Sequence, residues 1–311
     1  MTARTDSHIR RFGCYSLICQ SVLSVGIYTR GPITCVYSIQ LLSRSFSNCN
    51  IIKYLTSLCI FYITMIPNRR RQQGLQYGIF LLFMQALNFG IERIPPATLI
   101  GVIIQTLLYM GYIKVPWNPE EVCISAIKII KYKEWRSLFF SHLEHASDMH
   151  LYYNMVSFIL KGSYLESLYG TTNFVLLLFI LSTGCSFMYV GLNYLLMQLT
   201  GDYQYLVTCA IGFSGSLFAL KLLVLCEQLD RLHNISGFQV PSKLAVWAEL
   251  ILIHLLVPNA SFVGHLAGIL IGCLYCYTFV GEVIDNLIHT ITGTPIIHEE
   301  RFYRRRNGQF T

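Results

Sequence analysis

From Asn173 to Leu199 the chain reads NFVLLLFILSTGCSFMYVGLNYLLMQL, with no charged residue. A helix through that run is long enough for the hydrocarbon core of a bilayer, which about 20 apolar residues cross. Backbone in lipid must satisfy its own hydrogen bonds, so the run belongs either to a helix or to a closed barrel. No ten-residue alternating pattern marks barrel strands. The segment reads as a transmembrane helix.

Similar runs recur. Counting from Pro95 they cover 95–113, 150–170, 173–199, 205–226, 244–257 and 261–280, and a short apolar helix is expected at 75–91 before them. With 54% hydrophobic and 13% charged residues, the balance excludes an ordinary soluble domain. The expected fold is an all-α polytopic membrane protein, a six-helix bundle with a long first loop over 114–149. Its net charge of +7 then reads as a topology signal and not as a nucleic-acid surface, so no nucleic acid is expected as a partner. Arg69–Arg71 before the core and Arg301, Arg304, Arg305 and Arg306 after it put both ends in the cytosol. Lys128, Lys131, Lys133 and Arg136 in the first loop pull the other way, offset in part by Glu120, Glu121 and Glu134.

Three regions follow from this pattern. Residues 1–64 are a poorly structured extension, acid-poor with Asp6 as the only acid; 65–282 form the membrane domain; 283–311 form a short basic cytosolic tail. Eleven cysteines lie mostly inside apolar runs without framework spacing. Cys273 and Cys276 form one CxxC in an apolar helix, which reads as packing and not as a metal or redox site. No metal and no organic cofactor is expected.

Polar residues inside spans are costly and usually functional. Span two carries His150 and Asn154, span four Ser214 and span six His265, each in the first half of its span. Even-numbered spans run parallel whichever way the protein inserts, so all four residues fall in one leaflet. A serine hydroxyl becomes a nucleophile when a neutral histidine takes its proton. Gly264, Gly268 and Gly272 on span six face the small residues Gly212, Gly215 and Ala219 on span four, a spacing that lets two helices approach closely. His150 and Asn154, at i and i+4, share a helix face and can donate to a developing oxyanion together with the Ser214 amide. His254 beside Glu249 occupies an odd-numbered span and reads as structural, as do His142 and His145 in the loop.

HASDMHLYYNM (145–155), GFSG (212–215), GHLAGILIG (264–272) and the loop pair Trp135–Arg136 together resemble the rhomboid intramembrane serine proteases, over about 66–282. That resemblance implies Ser214 as nucleophile, His265 as general base and His150, Asn154 and the Ser214 amide as the oxyanion hole. It further implies that Arg136 and Glu166 hold the fold, through the first loop and the polar contacts of span two. Where many relatives carry a tyrosine that stacks on the catalytic histidine, this chain has Phe218. The implied substrates are transmembrane proteins in a lipid bilayer. Endoplasmic reticulum is the implied compartment, with a role in protein quality control, and the mitochondrial inner membrane is the alternative. Mammalian endoplasmic-reticulum relatives couple to ubiquitin and the p97 segregase through a long tail. The stretch HEERFYRRRNGQFT has no ubiquitin-interacting helix, so that coupling is not expected here. The rival readings are a catalytically inactive rhomboid-like protein that binds and routes membrane clients, and a small transporter.

Overall fold

The computed structural model describes residues 77–228, 232–235, 238–256 and 260–298. The extension over 1–64, the Arg69–Arg71 cluster and the arginines from Arg301 onward lie outside the described residues.

Each apolar run contains a helix. They are α1 (Tyr77–Phe89), α2 (Pro96–Met110), α6 (Asp148–Tyr169), α7 (Thr171–Thr200), α9 (Ser214–Glu227), α10 (Ser242–Leu256) and α11 (Phe262–Tyr277). Of these, α7 is long and apolar enough to cross a bilayer on its own. The first loop folds into three short helices, α3 (Pro119–Val122), α4 (Ala126–Ile130) and α5 (Ser137–Phe140), and α8 (Gln204–Val207) is a single turn before α9. A two-stranded hairpin, β1 (Leu232–Ile235) with β2 (Phe238–Pro241), joins α9 to α10.

Span four differs in a way that matters. The sequence suggests a helix from 205, yet α9 begins at Ser214 itself. The preceding backbone has other partners: Ile124 and Ala210 exchange both hydrogen bonds of a bridge, and the Gly212 N–H donates to the Ser141 carbonyl at 2.9 Å. Gly212 has φ +124, which breaks any helix there.

Side-chain pairs at the helix ends fix direction. Asp148, at the start of α6, accepts from the Gly78 N–H at the start of α1 (2.9 Å). Glu166, near the end of α6, accepts from the Ala97 and Thr98 N–H groups at the start of α2, both at 2.8 Å, and from the Thr98 and Thr171 hydroxyls. First-turn amides have no intrahelical acceptor, so each carboxylate caps a neighbouring helix. Tyr169 at the end of α6 donates to Glu227 at the end of α9 (2.6 Å), and Cys226 lies 3.4 Å from the Tyr277 hydroxyl at the end of α11. Helices α1, α6, α9 and α11 therefore run one way, and α2 the other. Spans two, four and six are parallel, as span counting requires. Residue 77, however, lies at the Ser214 end of the bundle while His298 lies at the opposite end. Counted from Pro95, the six-helix core does begin and end at one end of the bundle, since the start of α2 and His298 both lie beside the last turns of α6 and α9; α1, ahead of that core, starts at the other.

Beyond α11 the chain bends by 80° into α12 (Phe279–Thr292), which leaves Phe279, Val283, Leu287 and Ile291 exposed along one stripe. It then returns to the bundle. His298 is 5% exposed and donates from Nδ1 to Glu227 (2.6 Å) and from Nε2 to Asp285 (3.0 Å). Of the region expected as a short basic tail from 283, the described part as far as His298 is folded against the bundle.

Candidate active site

The closest helix contact brings α11 onto α9. A Cβ on Gly268 would come within 1.9 Å of the Gly215 carbonyl oxygen, and one on Gly215 within 3.0 Å of the Gly264 carbonyl. Gly272 continues the seam against Ala219 and Leu222. Backbone thus meets backbone where side chains would otherwise separate the helices. The expected role of Gly215, Gly268 and Gly272 is what the structure shows. Gly212 departs from it: this residue faces α6, and a Cβ there would lie 2.6 Å from Cε1 of His150 and 2.9 Å from its Nε2.

Because the seam is so tight, His265 on the first turns of α11 reaches Ser214, the first residue of α9. His265 Nε2 and Ser214 Oγ are 2.9 Å apart. Below them the Phe218 ring sits 4.8 Å from the His265 ring, tilted by 37°, so an aromatic face covers the imidazole without a hydroxyl. Ser214 opens its helix, and its amide belongs to the first turn, at the positive end of the helix dipole.

Across from the serine stand the two residues of α6. Ser147 caps α6 by accepting from the His150 N–H (3.1 Å). The Ala146 N–H points at His150 Nδ1 over a long 3.4 Å, which makes Nδ1 the acceptor and leaves the hydrogen on Nε2, the nitrogen beside Gly212. One turn on, Asn154 is buried and its Nδ2 has no hydrogen-bond partner. A buried amide donor without an acceptor is costly unless something else fills that need. Phe158, a further turn along, meets Phe213 edge-on at 5.0 Å and ties α6 to the residue before Ser214.

Residues 132–282 match the family model described as the rhomboid domain. The chain is 38% identical to Rhomboid-related protein 4 of Homo sapiens over 241 residues, 77% of this chain and 75% of that protein. The mouse protein of the same name is 38% identical over 231 residues, 74% of this chain and 71% of its own. The chain belongs to the rhomboid family. It is likewise 38% identical over 213 residues to the Arabidopsis thaliana "Rhomboid-like protein 14, mitochondrial", covering 66% of this chain and 63% of that one. Rhomboids are integral membrane proteins, and the apolar helices described above fit that setting.

Within the rhomboid frame the supporting residues divide. Glu166 is 2% exposed and makes the four bonds given above. Trp135 and Arg136 are exposed instead. Lys133 lies over the Trp135 ring at 5.8 Å, and Arg136 contributes through its carbonyl, which accepts from the Phe139 and Phe140 amides. The expected hold of the Arg136 side chain on the loop is therefore not what the structure displays. His142 ties the loop to the bundle in its place. Its Nε2–H donates to Ser186 (2.8 Å), which donates to the Leu138 carbonyl, while Ser216 approaches Nδ1 at 3.4 Å.

Three features escape a reading by spans. Cys123 and Cys209 form a disulfide that joins the first loop to the segment leading into Ser214. Cys123 stands in the first loop and Cys209 inside the run over 205–226, and pairing across 86 residues leaves no local spacing signal. Lys161, Lys221 and Glu249, charged residues within α6, α9 and α10, form one ion cluster, with Glu249 3.3 Å from Lys161 and 3.2 Å from Lys221. The third is His254. Its ring centre is 5.1 Å from that of His265, although it sits on an odd-numbered span. An antiparallel helix brings its last turns to the first turns of its neighbours, so parity does not exclude it.

Proposed function

We propose that this rhomboid is an intramembrane serine endopeptidase that cuts membrane proteins within or beside a transmembrane helix. The observation that carries the reading is the 2.9 Å approach of His265 Nε2 to Ser214 Oγ at a helix N-terminus. In the reaction Ser214 Oγ attacks the scissile carbonyl carbon and its proton passes to His265 Nε2. The carbonyl oxygen becomes an oxyanion that accepts from the Ser214 amide, His150 Nε2–H and the unpartnered Asn154 Nδ2–H. His265 then gives the proton to the leaving amine, and water repeats the cycle on the acyl-enzyme. A helical substrate must first unwind to free its carbonyl, so helices with weak, Gly-containing or polar segments are the preferred substrates.

The six runs from Pro95 cross the membrane, and α1, aligned with α6, adds a crossing before them. Disulfides persist in oxidising compartments, and Cys123–Cys209 lies at the Ser214 end. This supports a site opening to the lumen of the endoplasmic reticulum, where the enzyme acts in protein quality control. The intermembrane space of mitochondria meets the same redox requirement, and imaging chains that start at Met1 and at Met65 separates the two. The membrane domain from 65 is the functional unit.

Reconstitution in liposomes with a fluorescent single-span substrate tests the reading. Cleavage by wild type that is lost in Ser214→Ala and in His265→Ala is the expected result. Equal cleavage by all three contradicts it and leaves binding and routing of membrane clients as the activity.

A further inference from the structure

Two buried imidazole nitrogens beside the dyad lack a hydrogen-bond partner, His265 Nδ1 and His254 Nε2. They are of opposite kind. His254 Nδ1 lies 2.8 Å from the Leu250 carbonyl one turn back on α10. A carbonyl only accepts, so Nδ1 carries the hydrogen and neutral His254 offers a bare lone pair at Nε2. His265 is the reverse: to take the Ser214 proton its Nε2 must be unprotonated, which puts the hydrogen on Nδ1. One ring thus holds an unused acceptor and the other an unused donor. Their centres are 5.1 Å apart and their planes are inclined by 70°, an edge-to-face arrangement. Phe262 packs on His254 at the same distance, its ring inclined by 73° to the imidazole.

We infer that His254 is a positioning residue for the dyad, accepting a hydrogen bond from His265 Nδ1–H through His254 Nε2, by a ring rotation or across one bridging water. The inference rests on the protease reading above. Its consequence is a fixed tautomer: with Nδ1–H engaged, His265 presents Nε2 to the serine at every turnover. When the Ser214 proton arrives at Nε2, both His265 nitrogens carry hydrogen and the ring becomes cationic. The bond from Nδ1–H to neutral His254 then becomes charge-assisted and strengthens. No proton moves to His254, and the one taken from Ser214 leaves with the amine product.

The substitutions His254→Phe and His254→Gln separate this role from packing. Phenylalanine keeps a ring against Phe262 and removes the acceptor, whereas the glutamine Oε1 restores an acceptor near the Nε2 position. On the liposome substrate, His254→Phe is expected to lower kcat by about tenfold, less than the roughly hundredfold that misplacing a catalytic group by about 1 Å can cost. KM and the melting temperature stay within experimental scatter of wild type, and His254→Gln recovers most of the loss. Wild-type kcat in His254→Phe overturns the inference, as does an equal fall in both variants. Should His254→Phe not fold, His254→Met removes the imidazole acceptor in a flexible apolar side chain, with the same expected loss and the same contrary result. Ser214→Ala is run beside them. If wild-type cleavage does not depend on Ser214 the protease reading itself fails, and if it does while His254→Phe is unimpaired only the role of His254 fails.

Discussion

Gly268 lies so close to Gly215 that a methyl group on it would come within 1.9 Å of the Gly215 carbonyl oxygen. The 2.9 Å separation of Ser214 and His265, on the same two helices, depends on that contact. Gly268→Ala must push α11 off α9. Overpacking of this kind costs about 1–3 kcal/mol, and misplacing a catalytic group by about 1 Å can cost about a hundredfold in rate. The expected outcome is a lower melting temperature together with a fall in kcat of that order. Gly191→Ala, on α7 with open space around its Cβ, is the control and should match wild type in both measurements.

The disulfide is a second point of control. Cys123–Cys209 and the Ile124–Ala210 bridge next to it hold the strand of chain that delivers Ser214. Cys209→Ser should lower stability by about 2–4 kcal/mol, the usual range for a native disulfide, and reduce cleavage. Peptide mapping without reductant should recover Cys123 and Cys209 in one linked pair. Separate peptides from active wild-type enzyme would show that the link is not needed.

At the opposite end, pH should act through His298. Burial alone would lower its pKa, but hydrogen bonds to Asp285 and Glu227 and their charges outweigh that and raise it above 6.5. A raised folded-state pKa means that the contribution is fully present below the unfolded value near 6.5 and is lost as pH rises through the folded value. Melting curves of wild type and His298→Gln should therefore differ most below the unfolded-state value near 6.5 and converge as pH rises above it. A gap that widens with rising pH would contradict this sign.

The helices and their parallel relation were legible because bilayer length and apolar runs constrain both. So were Ser214, His265, His150 and Asn154, since polar residues in lipid need a reason to be there. Less legible was anything decided by pairing at a distance. Glu166 reveals itself as a cap only when the start of α2 is seen beside it, and Glu249 only when two lysines converge on it. The late start of α9 likewise depends on partners in the first loop, which take the backbone bonds a helix would have used. Arg136 marks the opposite limit, a residue that a motif singles out and that the structure leaves exposed.

The central claim is that His265 activates Ser214, and covalent labelling reads it directly. Wild-type protein in liposomes would be treated with a fluorophosphonate, which reacts with activated serines, and the adduct mapped by mass spectrometry. The account predicts a single adduct on Ser214 in wild type and none in His265→Ala, with both proteins equally folded. Labelling of Ser214 that proceeds at the same rate without His265, or an adduct on another serine alone, would contradict it.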